Sequence, residues 1–473
     1  MKNYQAVIGI EMHCELKSNA KIFSLGKNSF SQIPNSNVSE VDMAFPGTLP
    51  IINKKCVENG IKMALVLNCQ IPKYLMFDRK NYFYPDLPKG YQITQNAYPI
   101  GTNGNLEIEH DNKTFNVSIQ DIHLEEDTAS LEHANESTYI NYNRAGVPLL
   151  ELVTDPCFHS ADEVISFLEY IRLIYQYCDI SEADPKKGHI RCDVNISLKE
   201  KNSDVLGTRV EIKNVNNFRN IKEAINYEIE RQTKLLENNE LVEQETRRFD
   251  EATGTTIRMR KKEDALDYKY FVEPNIPRYK ISEDWIEKIK SEIPLLPLER
   301  KKKYEQYNLN NEEIYLIIKH KNISDYFEEC LKLNIEAKTA VNWITTQIIG
   351  YLNKSEETID KIYITPKRLA TLIDFLNKNI ISSKQAKEIF IKSLEEKQEI
   401  ETYIKKDNAQ ITDEAELRKI IENILNKNEN QINEYHNGKT NLFQFFVGQV
   451  MKETKGKASP VLTKDILKNI LDK

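Results

Sequence analysis

The sequence predicts an α+β fold: a largely antiparallel sheet domain over residues 1–293, a helical domain over 294–407 and a small helical tail over 408–473. Three observations predict it. Up to about residue 293 the chain is dense in short β-type runs broken by Gly, Pro and Asn, with two helical patterns between them. After Pro294 and Pro297 the texture changes to helix-forming residues with few glycines. A softer break follows near 407–410, ahead of a final helical module.

The first element, Ala6–Leu16, alternates. Ala6, Ile8, Ile10, Met12, Cys14 and Leu16 fall on one face, and Val7, Gly9, Glu11, His13 and Glu15 on the other. An apolar back and a front of carboxylates and imidazole describe a half-buried strand, and Glu and His two apart can reach one cation. On this stretch alone a solvated acidic face accounts for the pattern as well. Further strands are expected at 106–109, 115–123, 139–142, 149–154, 191–198 and 208–213.

Ser160 with Glu163 reads as a capping box, followed by the stripe Val164, Phe167, Leu168, Ile171 and Ile174. Asn216 is expected to open a second helix, with Phe218, Ile221, Ile225, Ile229 and Leu235 on its buried side. In the tail, Asp413 and Glu416 are expected to cap a helix striped by Leu417, Ile420, Ile421, Ile424 and Leu425.

Composition bounds the function. The 473 residues suffice for two or three domains. Lys+Arg 65 against Asp+Glu 72 gives a net charge of −7, so a nucleic-acid partner would have to be held by local patches. From Gln431 onward there is such a patch: Lys439, Lys452, Lys455, Lys457, Lys464, Lys468 and Lys473 against Glu434, Glu453, Asp465 and Asp472. The seven cysteines are scattered with no C-x-x-C pair, which argues against a disulfide framework or zinc knuckle. No apolar run approaches a membrane span and no signal pattern opens the chain, so a cytoplasmic protein without a membrane partner is expected.

The stretch 78–95, DRKNYFYPDLPKGYQITQ, mixes rigid turns, cationic heads and aromatic plates. Such a loop suits a nucleotide or an RNA terminus; an aromatic-rich packed loop is the other reading. There is no G-x-x-x-x-G-K-[ST], because the position five before Gly438 is Asn433, and no G-x-S-x-G.

These residues stand within a longer ordered series: GIEMHCEL at 9–16, FPGTLPIIN at 45–53, HLEED at 123–127, NRAGVPLLELVTDP at 143–156, RCDVNIS at 191–197, EIKNVNNF at 211–218, QETRRFD at 244–250, DYKYFVEPNIP at 267–277 and VGQVMKETKGKASP at 447–460. Together they closely resemble the GatB family, the B subunits of aspartyl/glutamyl-tRNA(Asn/Gln) amidotransferases. The resemblance implies a glutamine synthetase-like cradle for the first domain and a YqeY-like tRNA-binding tail. It implies ATP-dependent phosphorylation of the side-chain carboxylate of Glu-tRNA(Gln) or Asp-tRNA(Asn), then amidation by ammonia. An amidase partner, the A subunit, would supply that ammonia, and a small C subunit would complete a heterotrimer.

In this reading Glu11, His13, Glu125 and Glu151 are expected to hold a metal, Mg²⁺ or equally Mn²⁺ because of the imidazole. Glu126 and Asp127 belong to the same acidic set, and Arg144 is the ordinary structural partner for Glu151. Lys80, Glu126 and Arg247 are expected in catalysis. Arg79, Tyr82, Lys89 and Arg248 are expected at the nucleotide, and Arg258, Arg260, Lys261 and Lys262 at the acceptor stem. Two departures stand out. Where many members have four zinc-binding cysteines this chain has Ser24, Gly26, Ser39 and Asp42, so no zinc is expected. Where the family often has Ala-Gly-Lys it has Thr128, Ala129 and Ser130. A non-catalytic tRNA-binding scaffold and a ligase acting on free amino acids remain the alternatives.

Overall fold

The computed structural model describes residues 4–111, 113–134, 136–215, 217–261, 267–355, 357–404, 414–454 and 457–471. The chain forms two compact units, Met1–Glu299 and Arg300–Lys473.

In the first unit the strands are β1 (Tyr4–Glu15), β2 (Tyr74–Leu75), β3 (Asp78–Asn81), β4 (Tyr91–Thr94), β5 (Gly101–His110), β6 (Lys113–Glu126), β7 (Ser130–Ala134) and β8 (Ser137–Asn141). They continue with β9 (Pro148–Thr154), β10 (Ile190–Glu200), β11 (Val210–Val215), β12 (Glu245–Asp250), β13 (Thr255–Lys261), β14 (Phe271–Val272) and β15 (Tyr279–Lys280). The helices are α1 (Lys54–Val66), α2 (Ala161–Tyr177), α3 (Phe218–Glu237) and α4 (Glu283–Ser291).

Eight strands make one sheet in the order β13-β12-β11-β10-β1-β9-β6-β5, so the first strand of the chain lies near its middle. Every neighbouring pair is antiparallel except β11 and β12. A second sheet, β14-β3-β4, carries the aromatic and basic loop. The alternation in β1 is realised: Ile8, Ile10, Met12 and Cys14 are fully buried in one core with the stripes of α1, α2 and α3. Each such side chain contributes on the order of 1.5–3 kcal/mol by leaving water. The opposite face of the sheet keeps its polar residues.

Ser160 caps α2 by accepting from the Glu163 amide at 3.2 Å, while the Glu163 carboxylate accepts from the His159 amide at 2.7 Å. Asn216 lies outside the described residues. The described helix starts at Phe218, and Asn217 caps it by accepting from the Arg219 amide at 2.9 Å. The run 139–142 divides: β8 stops at Asn141, and Tyr142–Arg144 is a 3₁₀ turn.

Helix α1 and strands β12 and β13 were not legible. Gly60 interrupts the apolar pattern of α1 because the helix packs there against Leu124, where a Cβ would sit 3.3 Å from the leucine side chain. Strand β12 hides its buried face because that face carries a charged pair, Glu245 and Arg247, instead of apolar residues.

The second unit holds two separate cores, one drawn from Tyr304 to Ile400 and one from Leu417 to Leu471. Asp413 lies outside the described residues. The helix Glu414–Asn426 buries Leu417, Ile421, Ile424 and Leu425, and Leu442–Glu453 buries Phe446, Val447 and Val450. Among the described residues no helix is long and apolar enough to cross a membrane.

Candidate metal and phosphate site

The polar face of β1 meets complementary faces on both neighbours. His13 pairs in register with Glu151 on β9 and Arg191 on β10, and Glu151 pairs with His123 on β6. Two residues along β6 the period of two returns Glu125 to the same face. The sheet thereby brings together three residues from distant parts of the sequence. His13 Nε2 is 3.4 Å from a Glu125 oxygen and 3.3 Å from a Glu151 oxygen, with ligand atoms of all three within 4.8 Å of one another. A cation about 2.1 Å from each ligand holds neighbouring ligands roughly 3.0–3.4 Å apart, so this donor set fits a small divalent ion.

Within the cluster, burial and neighbouring charges set the protonation of each group. Burial alone would depress the His13 pKa, but the Glu151 and Glu125 carboxylates override it and push it up to about 9. His123 behaves the same way: burial is outweighed by Glu151 and Asp121, and its pKa stands well above the ordinary value. Glu151 sits well below the usual carboxylate range, because the two imidazoles overcome its burial. Burial and the nearby Glu151 charge raise Glu125. Without a metal, imidazolium protons balance the carboxylates; ligation requires neutral imidazole and displaces a proton.

Glu11 joins a different set. Its carboxylate groups with Asp193 and Glu211, again within 4.8 Å, and accepts from Asn195 Nδ2 at 2.8 Å. Burial first, then the charge of Glu151, raises its pKa. Lys213 Nζ bridges Asp193 at 2.7 Å and Glu211 at 2.9 Å. Glu11 is thus on the expected face, two residues from His13 on the same strand, but it groups with residues of β10 and β11 and not with the His13 cluster.

The expected phosphate and catalytic residues separate into two groups. Lys80 is half-buried on β3 with its ammonium 4.9 Å from the centre of the Tyr268 ring, and its charge offsets part of the burial-driven rise of the Glu125 pKa. Among the described residues it makes no ion pair. Arg248 is exposed on the polar face, in register with Lys213, and likewise makes none among the described residues. Tyr82 packs edge-on to Tyr268 at 6.0 Å, and burial raises its pKa.

The others are committed elsewhere. Arg79 forks onto the fully buried Glu273 at 2.6 and 3.1 Å and stacks 4.0 Å over Tyr91. Lys89 bonds both oxygens of Glu126. Glu126 itself, by the alternation of β6, turns away from Glu125 and also accepts from the Ile93 amide at 2.9 Å. Arg247 faces α3, bonded to Glu245 at 2.7 Å, Glu228 at 3.1 Å and the Thr256 carbonyl at 2.6 Å. The geometry therefore does not bring Arg79, Lys89, Glu126 or Arg247 to the His13–Glu125–Glu151 cluster. Adjacent residues in a strand face opposite ways, and each of these four is already neutralised by a buried partner.

Arg144 does not partner Glu151. It binds Asp127 at 3.0 and 2.6 Å, joined by Arg191 at 2.9 Å, and these arginines hold the Asp127 carboxyl below its usual range despite burial. Ser24 and Ser39 each hydrogen-bond to Asp42, which also accepts from the ammonium of Lys21. Arg258 pairs with Glu243 and Glu245. The side chains of Arg260 and Lys261, and Lys262, lie outside the described residues. Sequence reasoning missed His123, Asp193, Glu211 and Lys213, although each stands in a quoted motif. The period of two from Glu125 back to His123 was the available signal for the first. A bulge between Cys192 and Val194 obscures the register of Asp193 and Glu211.

Comparison with known proteins bears on this site. Residues 6–287 match the family model described as the GatB/GatE catalytic domain, and residues 325–471 match that of a GatB domain. The B subunit of the aspartyl/glutamyl-tRNA(Asn/Gln) amidotransferase from Shouchella clausii (strain KSM-K16) is 42% identical over 474 residues, covering 100% of both chains. The protein of the same name from Geobacillus thermodenitrificans (strain NG80-2) is 41% identical over 474 residues, again 100% of both. That from Wolbachia sp. subsp. Drosophila simulans (strain wRi) is 43% identical over 468 residues, 98% of each.

Proposed function

The chain belongs to the GatB/GatE family, and from that premise we propose that it is the component of a tRNA-dependent amidotransferase that activates the side-chain carboxylate of misacylated Glu-tRNA(Gln) or Asp-tRNA(Asn) with ATP. The observation that carries the reading is the largely buried His13–Glu125–Glu151 cluster on the polar face of the sheet, with Lys80 beside it free of an ion pair among the described residues.

A carboxylate is a poor acyl donor because its leaving group would be oxide. Attack of a carboxylate oxygen on the γ-phosphorus of ATP releases ADP and leaves an acyl phosphate. Ammonia then adds to the acyl carbon, and phosphate leaves as hydrogen phosphate, carrying the proton that the nitrogen gives up. Phosphoryl transfer asks the protein for positioning and charge stabilisation, with little covalent help. A divalent cation, Mg²⁺ or Mn²⁺, held by His13, Glu125 and Glu151 would supply charge neutralisation at the phosphate oxygens. Lys80 offers a cation to the same oxygens from the β3 side, while Arg248, in register with Lys213, stands on the side of the Glu11 set. Tyr82 and Tyr268 provide ring faces for a base beside Lys80. The carboxylates Glu11, Asp193 and Glu211, with Lys213 between them, stand ready to orient a second charged group.

Ammonia would come from an amidase partner, the A subunit, with a small C subunit completing the complex. Replacing Glu151 with Ala is the decisive experiment. tRNA-dependent ATP hydrolysis by the assembled complex should fall about a hundredfold or more, with binding of charged tRNA retained. Undiminished hydrolysis would leave the chain a tRNA-binding scaffold.

A further inference from the structure

Between β1 and α1, residues 16–53 carry no helix or strand of their own, an unusual length for a connection inside a compact unit. At its centre lies a lysine with 0% of its side chain exposed. Lys21 Nζ contacts Asp42 Oδ2 at 3.0 Å, and the Asp42 side chain is 2% exposed. Both carboxylate oxygens are fixed. Oδ1 accepts from Ser24 Oγ at 2.7 Å, and Oδ2 accepts from Lys21 and from the Ser39 amide at 2.9 Å. Removing a buried pair of this kind is often neutral for stability when apolar groups replace both members, so stability alone does not explain it; what it does give is one fixed geometry.

That geometry is pressed against a single turn. A Cβ on Gly146 would lie 2.7 Å from Asp42 Oδ1 and 3.3 Å from Lys21 Cδ, and Gly146 has φ +83°, a conformation that side chains resist. The turn is then tied to the site by backbone bonds. Ile22 N–H donates to the Gly146 carbonyl at 3.1 Å, Gly146 N–H to the Asp127 carbonyl at 3.0 Å, and Asp127 N–H to the Val147 carbonyl at 2.8 Å. Asp127 follows the end of β6, two residues beyond Glu125, and its carboxylate anchors Arg144 and Arg191.

We propose that the Lys21–Asp42 pair is a positioning element for phosphoryl transfer: it clamps the Gly146 turn and, through it, Asp127 and the strand end that presents Glu125. The proposal rests on the reading that Glu125 serves that reaction. Lys21 and Asp42 need touch no substrate; they act through Gly146 and Asp127.

The test uses the assembled complex and compares Lys21→Met, Asp42→Asn, the double variant and Gly146→Ala for tRNA-dependent ATP hydrolysis and for thermal unfolding. Each single charge variant should lose Tm and kcat together. The double variant should recover most of the Tm while kcat stays down about tenfold or more, with the KM for charged tRNA within about twofold of the parent. Gly146→Ala should lower kcat with both charges intact, together with some loss of Tm because its Cβ strains the turn and presses on Asp42. A double variant whose kcat returns with its Tm overturns the proposal. If the charge or glycine variants do not fold, Ser24→Ala decides: it takes one hydrogen bond from Asp42, and an unchanged kcat overturns the proposal while a fall at parental Tm supports it. Absence of tRNA-dependent hydrolysis in the parent complex would overturn the functional reading itself, an outcome distinct from those of the variants.

Discussion

His123 is the residue whose role the geometry defines most sharply. Its Nε2 lies 2.9 Å from Glu151 and its Nδ1 2.8 Å from Asp121, so it stands behind a candidate ligand and fixes the direction of that carboxylate. Groups that orient a ligand from behind commonly contribute 10- to 100-fold to metal affinity. His123→Ala should therefore weaken Mn²⁺ binding to the full chain by about 10- to 100-fold, read by calorimetry or by the loss of free Mn²⁺ signal. An unchanged affinity would make the residue a packed imidazole with no part in the site. Alternation alone makes Glu11, His13, His123 and Glu125 legible as polar-face residues. It cannot say that Glu11 keeps company with Asp193 and Glu211 while His13 keeps company with Glu125 and Glu151. That choice is made by which strands lie side by side. Nor does residue type reveal commitment: Lys80 and Lys89 look alike in the sequence, yet Lys89 is spent on Glu126.

At the scale of elements, periodicity serves wherever one face is apolar. β1, α2 and the stripe of the helix Glu414–Asn426 are legible for that reason. It fails where a buried face is charged, as in β12, because binary patterning assumes that charge means solvent. The helix Lys321–Lys332 of the second unit gives a testable case of charge supporting an element. Burial raises the pKa of Asp325 and Glu328, but Lys321 and Arg300 hold the first, and Lys303 and Tyr304 the second, below the ordinary value on balance. A carboxylate depressed in the folded state contributes stability that is present above its unfolded pKa near 4 and is lost as pH falls through the folded value. The second unit should therefore lose stability on acidification from about pH 5 to pH 3. The chain has two tryptophans, so in a Trp285→Phe background Trp343 alone reports, packed against Phe390 in the core of that unit. With Asp325→Asn and Glu328→Gln added, the urea midpoint should be lower at neutral pH and its fall on acidification shallower. An equally steep fall would assign the acid sensitivity to other groups.

For the whole molecule, the ordered motifs carry the family from one end of the chain to the other, whereas the strand order β13-β12-β11-β10-β1-β9-β6-β5 is written in no local stretch. It depends on pairings between residues well over a hundred positions apart, such as Glu11 with Asp193. The tail is a different matter, because its independence follows from packing. Its core runs from Leu417 to Leu471 and shares no member with the core that ends at Ile400. Removing residues 408–473 should therefore leave the rest of the chain folded. It also removes seven lysines against four acidic residues beyond Gln431, a local positive excess in a negatively charged protein. Contacts between lysine and phosphate weaken as salt rises, each in proportion to the counterions it releases. If the tail docks tRNA, truncation should raise the KM for charged tRNA and reduce the dependence of that KM on salt, while the glutaminase activity of the partner is unaffected. Measuring KM at two salt concentrations separates the possibilities. A raised KM with an unchanged salt slope points to lost shape contacts through the helix Leu442–Glu453. An unchanged KM removes the tail from the proposed recognition surface.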